Sequence, residues 1–311
     1  MPVRQSSDSS LIMSDVKSCN NHSVDVAPVG WRVAVIFTGI PIILWASQAV
    51  LTKALLHNDF GSWMIIFMRS AGALLLALVL ARGRVKMPRK PISYLPGLFL
   101  AINFVVFNQA LYFIDAYLLM LIETLSLLMG MAIDRVLRVP VTIPPASVGL
   151  ALAGTAVLFW DAGFAEASPA MLGLALGLAT ALTFAFFNCT LRFVEHESDS
   201  LISLMLPIAI LSLPFAVGEA LTNPPPLLQV LAAFAVVGVL QTGVTYLLWA
   251  KAGRIFSGTV LCQLTLLTIP LTFGIEAAFL NISIHALQIV ASLLVVLSIF
   301  ITTRRTQKIL T

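Results

Sequence analysis

Residues Trp45 to Arg69, WASQAVLTKALLHNDFGSWMIIFMR, place two basic side chains in a part of the sequence that is otherwise apolar. Lys53 and Arg69 lie within or at the edge of hydrophobic segments, whereas the rest of the eighteen Lys and Arg residues fall in polar connections and tails. A basic side chain inside a bilayer is costly, so it usually faces the protein interior and has a role there. The stretch therefore indicates a polar interior in a membrane protein.

The composition supports this class of protein. Hydrophobic residues make up 59% and charged residues 10% of the 311 residues, whereas soluble domains have about 25% charged residues. Such a chain cannot cover a soluble core with polar groups, so lipid must be the solvent for most of its surface. Backbone groups in lipid must be satisfied within each segment, and the alternating pattern of a β-barrel is not visible. We therefore expect an all-α membrane protein.

Ten apolar segments are near the length of about twenty residues that crosses the hydrocarbon core. We expect helices at Val33–Leu55, Gly61–Ala81, Ile92–Phe113, Ala116–Ile133, Ala146–Trp160, Ala170–Phe193, Ser200–Ala220, Leu228–Trp249, Phe256–Leu280 and His285–Thr303. The polar residues 1–30 are predicted to be a disordered cytoplasmic tail, and residues 306–311 a second cytoplasmic tail.

The charges of the connections predict the orientation of the chain. Basic residues follow segments two, four, six, eight and ten: Arg82, Arg84, Lys86, Arg89, Lys90, Arg135, Arg138, Arg192, Lys251, Arg254, Arg304, Arg305 and Lys308. The other connections contain Asp59, Asp115, Asp161, Glu166, Glu219 and Asn281. Basic connections are typical of the cytoplasmic side, so both termini are expected in the cytoplasm and the protein in the inner cell membrane. The net charge of +4 forms no single basic patch, so no nucleic-acid partner is expected.

The two halves of the chain are related to each other. A shift of about 142 residues places Ala110 on Ala252 and Ala116 on Gly258. Five helices per half would insert the second half upside down, and the acidic connection at Asp115 indeed corresponds to a basic one at Lys251. Two inverted five-helix repeats, at 31–165 and 166–305, are the construction expected of a secondary transporter.

Several motifs make the chain resemble the drug/metabolite transporter superfamily, in particular its EamA-type ten-helix members. The residues that carry the resemblance are WASQAVLTK with Trp45 and Lys53, Arg69, GVLQTGVTYLLWAKAGR from Gly238 to Arg254, Pro270 and Gln288. Ile269-Pro270 keeps only the proline of the family's Glu-Pro, and the Gly-Glu features before segments five and ten are missing. The resemblance implies a transporter of small metabolites, often an exporter.

Arg69 and Glu123 are predicted to lie at the same depth. Arg69 is about 12 Å and Glu123 about 10 Å from the outer ends of segments two and four at 1.5 Å per residue. Neither should stay charged alone in a low dielectric, so an ion pair is expected. The pair is either structural or functional, with Glu123 as a proton-coupling carboxylate or Arg69 as a ligand for a substrate carboxylate. Lys53 lies nearer the outer end and is expected to reach the interface.

Further polar and aromatic residues gather on segments one, three, eight and nine. Trp45, Gln48 and Thr52 share one helical face because their spacing is i, i+3 and i+7. Small polar side chains in membrane helices also bond neighbouring helices, so each can be structural. Their gathering favours a pocket for an amphipathic solute, with the candidate binding residues Trp45, Gln48, Arg69, Asn103, Asn108, Tyr112, Gln241, Thr245, Tyr246, Trp249 and Gln263.

No catalytic or nucleotide-binding motif is visible. The sequence has no HExxH, GxSxG or Walker A motif, so neither an enzyme nor ATP-driven transport is expected, and no cofactor or metal. Transport must then draw on a gradient of protons or of the solute. A secondary carrier that exports amino acids or related amphipathic compounds, as a monomer or homodimer, is favoured over a channel-like pore and a non-transporting membrane subunit.

Overall fold

The computed structural model describes residues 31–58, 60–83, 87–114, 116–139, 143–161, 169–194, 200–280 and 286–310. All regular structure in these ranges is helical. The predicted tail 1–30 lies outside the described residues, as do Asp59, Arg84, Lys86, Asp115, Glu166 and Asn281.

Thirteen α-helices and one π-helical segment form the bundle within the described residues. They are α1 (Trp31–His57), α2 (Ser62–Leu80), α3 (Leu95–Ala110), α4 (Ala116–Glu123), α5 (Ser126–Val136), α6 (Pro145–Asp161), α7 (Pro169–Thr190), α8 (Ser200–Thr222), α9 (Leu227–Ala233), the π-helical segment Phe234–Val244, α10 (Thr245–Ile255), α11 (Gly258–Thr265), α12 (Thr268–Leu280) and α13 (Ala286–Leu310). α13 continues through most of the predicted C-terminal tail.

Seven helical stretches of the described chain are long and apolar enough to cross a membrane. They are Val35–His57, Ser62–Leu80, Pro91–Ala110, Met171–Phe193, Ser200–Thr222, Leu227–Ile255 and Gly258–Ile275. Two shorter apolar helices, Pro145–Val157 and Ala286–Thr302, fall at the predicted fifth and tenth segments. The all-helical membrane class is thus confirmed, whereas the count of ten spans stays a prediction.

Large apolar side chains cover the outside of the bundle. Ile210 and Phe215 on α8 and Leu293 on α13 are each about half exposed or more. The inside, in contrast, contains buried polar groups such as Asn103, Arg69 and Gln263. Apolar side chains outside and polar groups inside are typical of a multi-pass protein whose surface is solvated by lipid.

Two helices are interrupted at corresponding positions. α4 ends and α5 begins around Thr124 and Leu125, while α11 ends and α12 begins around Leu266 and Leu267, and these breaks are 142 residues apart. At both breaks the backbone forms hydrogen bonds across three residues, as from Leu125 N to Ile122 O (3.0 Å) and from Leu267 N to Leu264 O (3.2 Å). Threonine hydroxyls bind freed carbonyls there, because a short hydroxyl side chain competes for backbone acceptors.

Close backbone contact joins the two halves at the centre of the bundle. α2 packs along both α8 and the π-helical segment, and α3 packs along α7 and α8. A Cβ atom added to Gly72 on α2 would lie 2.6 Å from the backbone of Gly238 on the π-helical segment. Glycine is therefore required where these two helices touch, and the contact fixes the position of α2.

Candidate functional site

A cavity of about 40 Å³ lies between helices of the two halves. Side chains of both halves line it: Trp45, Gln48, Arg69, Asn103, Phe104, Phe107, Met120, Glu123, Phe184, Tyr246, Thr265 and Thr268. Both helix breaks contribute, since Glu123 ends α4 while Thr265 and Thr268 flank the second break. Ligand pockets usually measure about 300 Å³ or more, so the cavity is large enough for water only in this conformation.

Arg69 is the most deeply buried cation of the cavity, with 1% of its surface exposed. Its guanidinium carbon lies 3.6 Å from the centre of the Phe104 ring. The amide oxygen of Gln48, oriented toward the guanidinium, accepts a hydrogen bond from Nη1 at 3.1 Å and another from Nη2. The Nε atom has no partner. Stacking on an aromatic ring and a neutral amide hold the cation in place without neutralising it.

Glu123 is the acidic group of the cavity. It is partly buried at the end of α4, and its carboxylate interacts electrostatically with Arg69 and with the Tyr246 hydroxyl. No salt bridge joins Glu123 to Arg69 in the described part of the chain, although both residues line the cavity. The direct ion pair predicted from the sequence is thus not among the salt bridges of the described residues, although both side chains line one cavity and interact electrostatically.

Aromatic rings form one wall of the cavity. Trp45 contacts Tyr246 and Phe184 edge to face, with ring centres 5.5 Å and 5.8 Å apart. Tyr246 in turn lies 5.8 Å from Phe104, the ring beneath Arg69. These offset and edge-to-face contacts are the geometries that aromatic pairs favour, so the wall has a defined shape.

Trp249 supports this wall from behind. Its ring centre lies 4.6 Å from that of Trp45, and its Nε1 donates a 2.8 Å hydrogen bond to Oδ1 of Asn188. The Asn188 amide nitrogen contacts the sulfur of Cys262 at 3.5 Å. Trp249 is fully buried and thus positions Trp45 rather than facing the cavity itself.

Six of the residues predicted from the sequence meet at the cavity: Trp45, Gln48, Arg69, Asn103, Glu123 and Tyr246. Asn103 reaches it from α3 while its amide nitrogen donates to the Thr180 carbonyl at 3.0 Å. The meeting of these side chains places candidate residues of α1, α2, α3, α4 and α10 within one site.

The other predicted residues lie elsewhere. Asn108 donates to the Ser62 carbonyl at 3.3 Å, Gln241 donates to the Ser47 hydroxyl at 3.0 Å, and Thr245 is buried outside the lining. Tyr112 is 53% exposed just beyond the end of α3, and Lys53 is partly buried near the end of α1. These positions are compatible with contacts between helices and with the edge of the bundle.

The cavity also includes residues that the sequence did not single out. Phe104, Phe107, Met120 and Phe184 are apolar and look like ordinary core residues in the sequence. Thr265 did carry a usable signal, because it lies 142 residues after Glu123, the same shift that relates the two halves. Applied to Glu123, that shift could have identified Thr265 as its counterpart in the second half.

Gln263 lies in a separate polar cluster that joins α6, α11 and α13. Its amide nitrogen donates to the hydroxyls of Ser147 and Ser298 (2.8 Å to the latter), and its oxygen accepts from the Thr302 hydroxyl at 2.8 Å. All four side chains are buried. The cluster anchors the first half of the broken helix to α6 and α13.

Replacing Gln263 with leucine should lower the stability of the protein without removing solute binding. The change leaves three hydroxyls to find other partners, at a cost of about 1–2 kcal/mol. We expect a lower midpoint of thermal unfolding in detergent, while Gln263→Glu, which keeps the acceptors but adds a charge, should be worse still. An unchanged midpoint for Gln263→Leu would contradict a role of the cluster in stability.

No group of three or more His, Cys, Asp or Glu residues suited to a metal ion occurs in the described ranges.

Comparison with known proteins bears on the second half of the chain. Residues 167–304 match the model of the EamA-like transporter family. The match confirms the resemblance to EamA-type members of the drug/metabolite transporter superfamily, and the matched range lies within the predicted repeat 166–305. The match to this family suggests a membrane transporter of small solutes.

Solved structures support the fold. Twenty-eight chains of known structure match, among them one titled "Crystal structure of protein". It superimposes with a TM-score of 0.70 at 17% identity, covering 89% of this chain and 98% of that one. No curated protein sequence matches the chain. At this identity the structural match establishes the fold and leaves the solute open.

Proposed function

We propose that this EamA-like protein is a secondary carrier that exports small amphipathic metabolites, amino acids or related zwitterions, by alternating access. The observation that carries the proposal is the central cavity, where Arg69 and Glu123 present opposite charges beside an aromatic wall. A guanidinium is suited to a solute carboxylate, and a carboxylate to an ammonium group. The rings of Trp45, Tyr246 and Phe184 offer an apolar surface for the rest of the solute.

The presence of Arg69 and Glu123 on one cavity supports a solute between them. Arg69 is held by Gln48 and Phe104, and its Nε atom has no partner. A buried guanidinium with a free donor is costly unless another acceptor occupies the site for part of the cycle. A zwitterion placed between Arg69 and Glu123 would satisfy both groups at once.

The size of the cavity favours a carrier over a pore. A channel needs a continuous polar path wide enough for the solute, whereas this cavity measures only about 40 Å³. The conformation is therefore interpreted as occluded. Binding a solute requires the bundle to open, which is the defining property of a carrier.

The architecture proposed for this movement is the pair of inverted five-helix repeats, 31–165 and 166–305. The helix breaks at Thr124–Leu125 and Leu266–Leu267 support it because they are related by the same shift as the sequences. Equivalent pairs of helices also pack in both directions across the halves, as with α3 on α7 and α1 on α10. Broken helices beside the site are typical of transporters with inverted repeats.

The orientation is proposed from the charged connections. The basic residues Arg135 and Arg254 lie in the last turns of α5 and α10, and Arg192 follows α7. The positive-inside rule assigns the ends of these helices to the cytoplasmic side. Both termini would then be cytoplasmic in the inner cell membrane. A proton is the proposed coupling ion if Glu123 changes its protonation during transport.

A binding experiment with the purified protein tests the solute class directly. Amino acids and their derivatives without the amino or the carboxyl group should be compared by their effect on thermal unfolding in detergent, because a ligand that binds the folded state stabilises it. We expect zwitterions with an aromatic or large apolar side chain to stabilise the protein most. Equal stabilisation by derivatives that lack both charged groups would contradict the proposed site.

Replacing Glu123 with glutamine tests proton coupling. If Glu123 carries the proton, uptake driven by a pH gradient into proteoliposomes should be lost, while exchange of solute against solute should persist, because exchange needs no net proton movement. An unchanged response to the pH gradient in Glu123→Gln would assign Glu123 to solute binding or structure alone. Thr222→Ala, at the exposed end of α8, is the control.

A further inference from the structure

A carboxylate near one end of the bundle joins two helices from different halves. Glu219 near the end of α8 accepts hydrogen bonds from Trp63 N (3.3 Å, to Oε1) and from Met64 N (2.8 Å, to Oε2), in the first turn of α2. The first N–H groups of a helix have no partner within it and favour a negative charge. We call this contact the Glu219 latch.

The packing around the Glu219 latch is specific. A side chain at Gly61 would collide with the Glu219 carboxylate, so a glycine lets the carboxylate approach. One turn before Glu219, the ring of Phe215 stacks on Trp63 with centres 4.5 Å apart and planes inclined by 24°. α2, the helix that carries Arg69, is thereby tied to α8 at this end.

A second carboxylate makes the same type of contact at the opposite end. Asp134 near the end of α5 accepts from Thr259 N (2.9 Å) and from the Thr259 hydroxyl (2.6 Å), both to Oδ2, at the start of α11. Asp134 is 1% exposed. A Cβ atom on Gly258 would lie 2.6 Å from Cα of Cys189 on α7, so the helices are in close contact here too. We call this contact the Asp134 latch.

The two latches act on helices that line the cavity from different directions. The Glu219 latch joins α2, with Arg69, to the second half, and the Asp134 latch joins the broken helix of Glu123 to the broken helix of Thr265. Each latch connects one half to the other, so the halves cannot separate at an end while its latch is intact.

Three buried polar atoms without partners lie on helices between the cavity and the Glu219 latch. Thr52 Oγ1 lies one helical turn beyond Gln48 on α1, Ser62 Oγ begins α2, and Asn108 Oδ1 lies one turn beyond Phe104 on α3. All three residues are buried. Burying such atoms without a partner is unfavourable, and water that enters when this end opens would remove the penalty.

We propose that the Glu219 and Asp134 latches are the two gates of the carrier, which open in alternation. This inference rests on the proposed function as an alternating-access carrier. With the Glu219 latch open and the Asp134 latch closed, the cavity reaches one side of the membrane through Thr52, Ser62 and Asn108. With the latches reversed, it reaches the other side beside Asp134 and Cys189. The conformation described here has both closed.

Accessibility of single cysteines in the full-length chain tests the gates without any transport measurement. For the Glu219 end, Asn108→Cys is introduced after the three native cysteines are replaced by alanine, and labelling by a hydrophilic maleimide is timed in detergent. For the Asp134 end, native Cys189 is kept as the single thiol. Glu219→Gln and Asp134→Asn remove the charge of one latch each, and Thr222→Ala, at the exposed end of α8, is the matched control.

We expect Glu219→Gln to speed labelling at Asn108→Cys by about fivefold, the effect of losing one charge-assisted contact, and to slow or leave unchanged labelling of Cys189. Asp134→Asn should do the reverse, and Thr222→Ala should change neither rate. Equal acceleration at both sites would indicate general loosening and overturn the proposal, as would unchanged rates in both latch variants.

A disulfide provides a second test if a latch variant does not fold. Oxidation of the pair Gly61→Cys and Glu219→Cys should hold this end closed, suppress labelling at Asn108→Cys, and be reversed by a reductant. Labelling that continues at the same rate in the cross-linked protein would overturn the proposal. Labelling needs no solute. Failure of the gate proposal can therefore be distinguished from failure of the proposed carrier function, which a transport assay reports.

Discussion

Replacing Arg69 with alanine should reduce solute exchange in proteoliposomes by at least about tenfold. Arg69 is 1% exposed and is the cation that lines the cavity. Truncating one member of a buried charge arrangement costs about 2–5 kcal/mol, much of which is the penalty for the group that stays behind. Here Glu123 would remain without an opposite charge, and the Gln48 oxygen and a solute carboxylate would lose their donor.

Lys53→Ala is the matched control for this prediction. Lys53 is the other basic residue of the same stretch, but it is only partly buried near the end of α1 and does not line the cavity. Its removal should leave exchange within about twofold of the wild type, as expected for a side chain near the interface. Wild-type exchange by Arg69→Ala at equal protein content would refute a functional Arg69.

Replacing Gly238 with valine should lower the free energy of unfolding more than the other substitutions proposed for this protein. A Cβ atom at Gly238 would collide with the Met68 carbonyl on α2, and it would lie 3.1 Å from Cα of Gly72. Overpacking between two backbones cannot be relieved by a side-chain rotation, so we expect a cost of about 3 kcal/mol or more. Thermal unfolding in detergent, followed by tryptophan fluorescence, measures the effect.

Gly218→Val on α8 provides the comparison, because no atom lies within 4 Å of a Cβ added there. Its midpoint of unfolding should stay close to that of the wild type. If both valine variants unfold at the same temperature, the close contact between α2 and the π-helical segment is not a determinant of stability.

The positions of the helices could be predicted because hydropathy records which residues face lipid or the core. Every predicted apolar segment overlaps a helix of the structure, from Trp31–His57 to Ala286–Leu310. The interruptions could not be predicted, because Thr124–Leu125 and Leu266–Leu267 contain neither proline nor glycine. Their breaks depend on the tertiary environment, which a local pattern does not record. The same holds for the π-helical segment Phe234–Val244.

The charged part of the site could be predicted because charged side chains are costly in lipid. Arg69 and Glu123 were found in this way, and both line the cavity. Polarity alone did not separate cavity residues from residues that join helices, as Gln263 illustrates. Its partners Ser147, Ser298 and Thr302 lie on helices far along the chain, so only the fold shows that its hydrogen bonds are satisfied.

Exchange across the membrane is the most direct test of a carrier with an alternating-access site. Proteoliposomes loaded with an unlabelled aromatic amino acid should take up the labelled compound faster than empty ones, and the rate should saturate with the outside concentration. This trans-stimulation arises because a loaded site returns across the membrane faster than an empty one. Uptake that is linear with concentration and indifferent to the internal solute, for every solute transported, would contradict the carrier and indicate a pore.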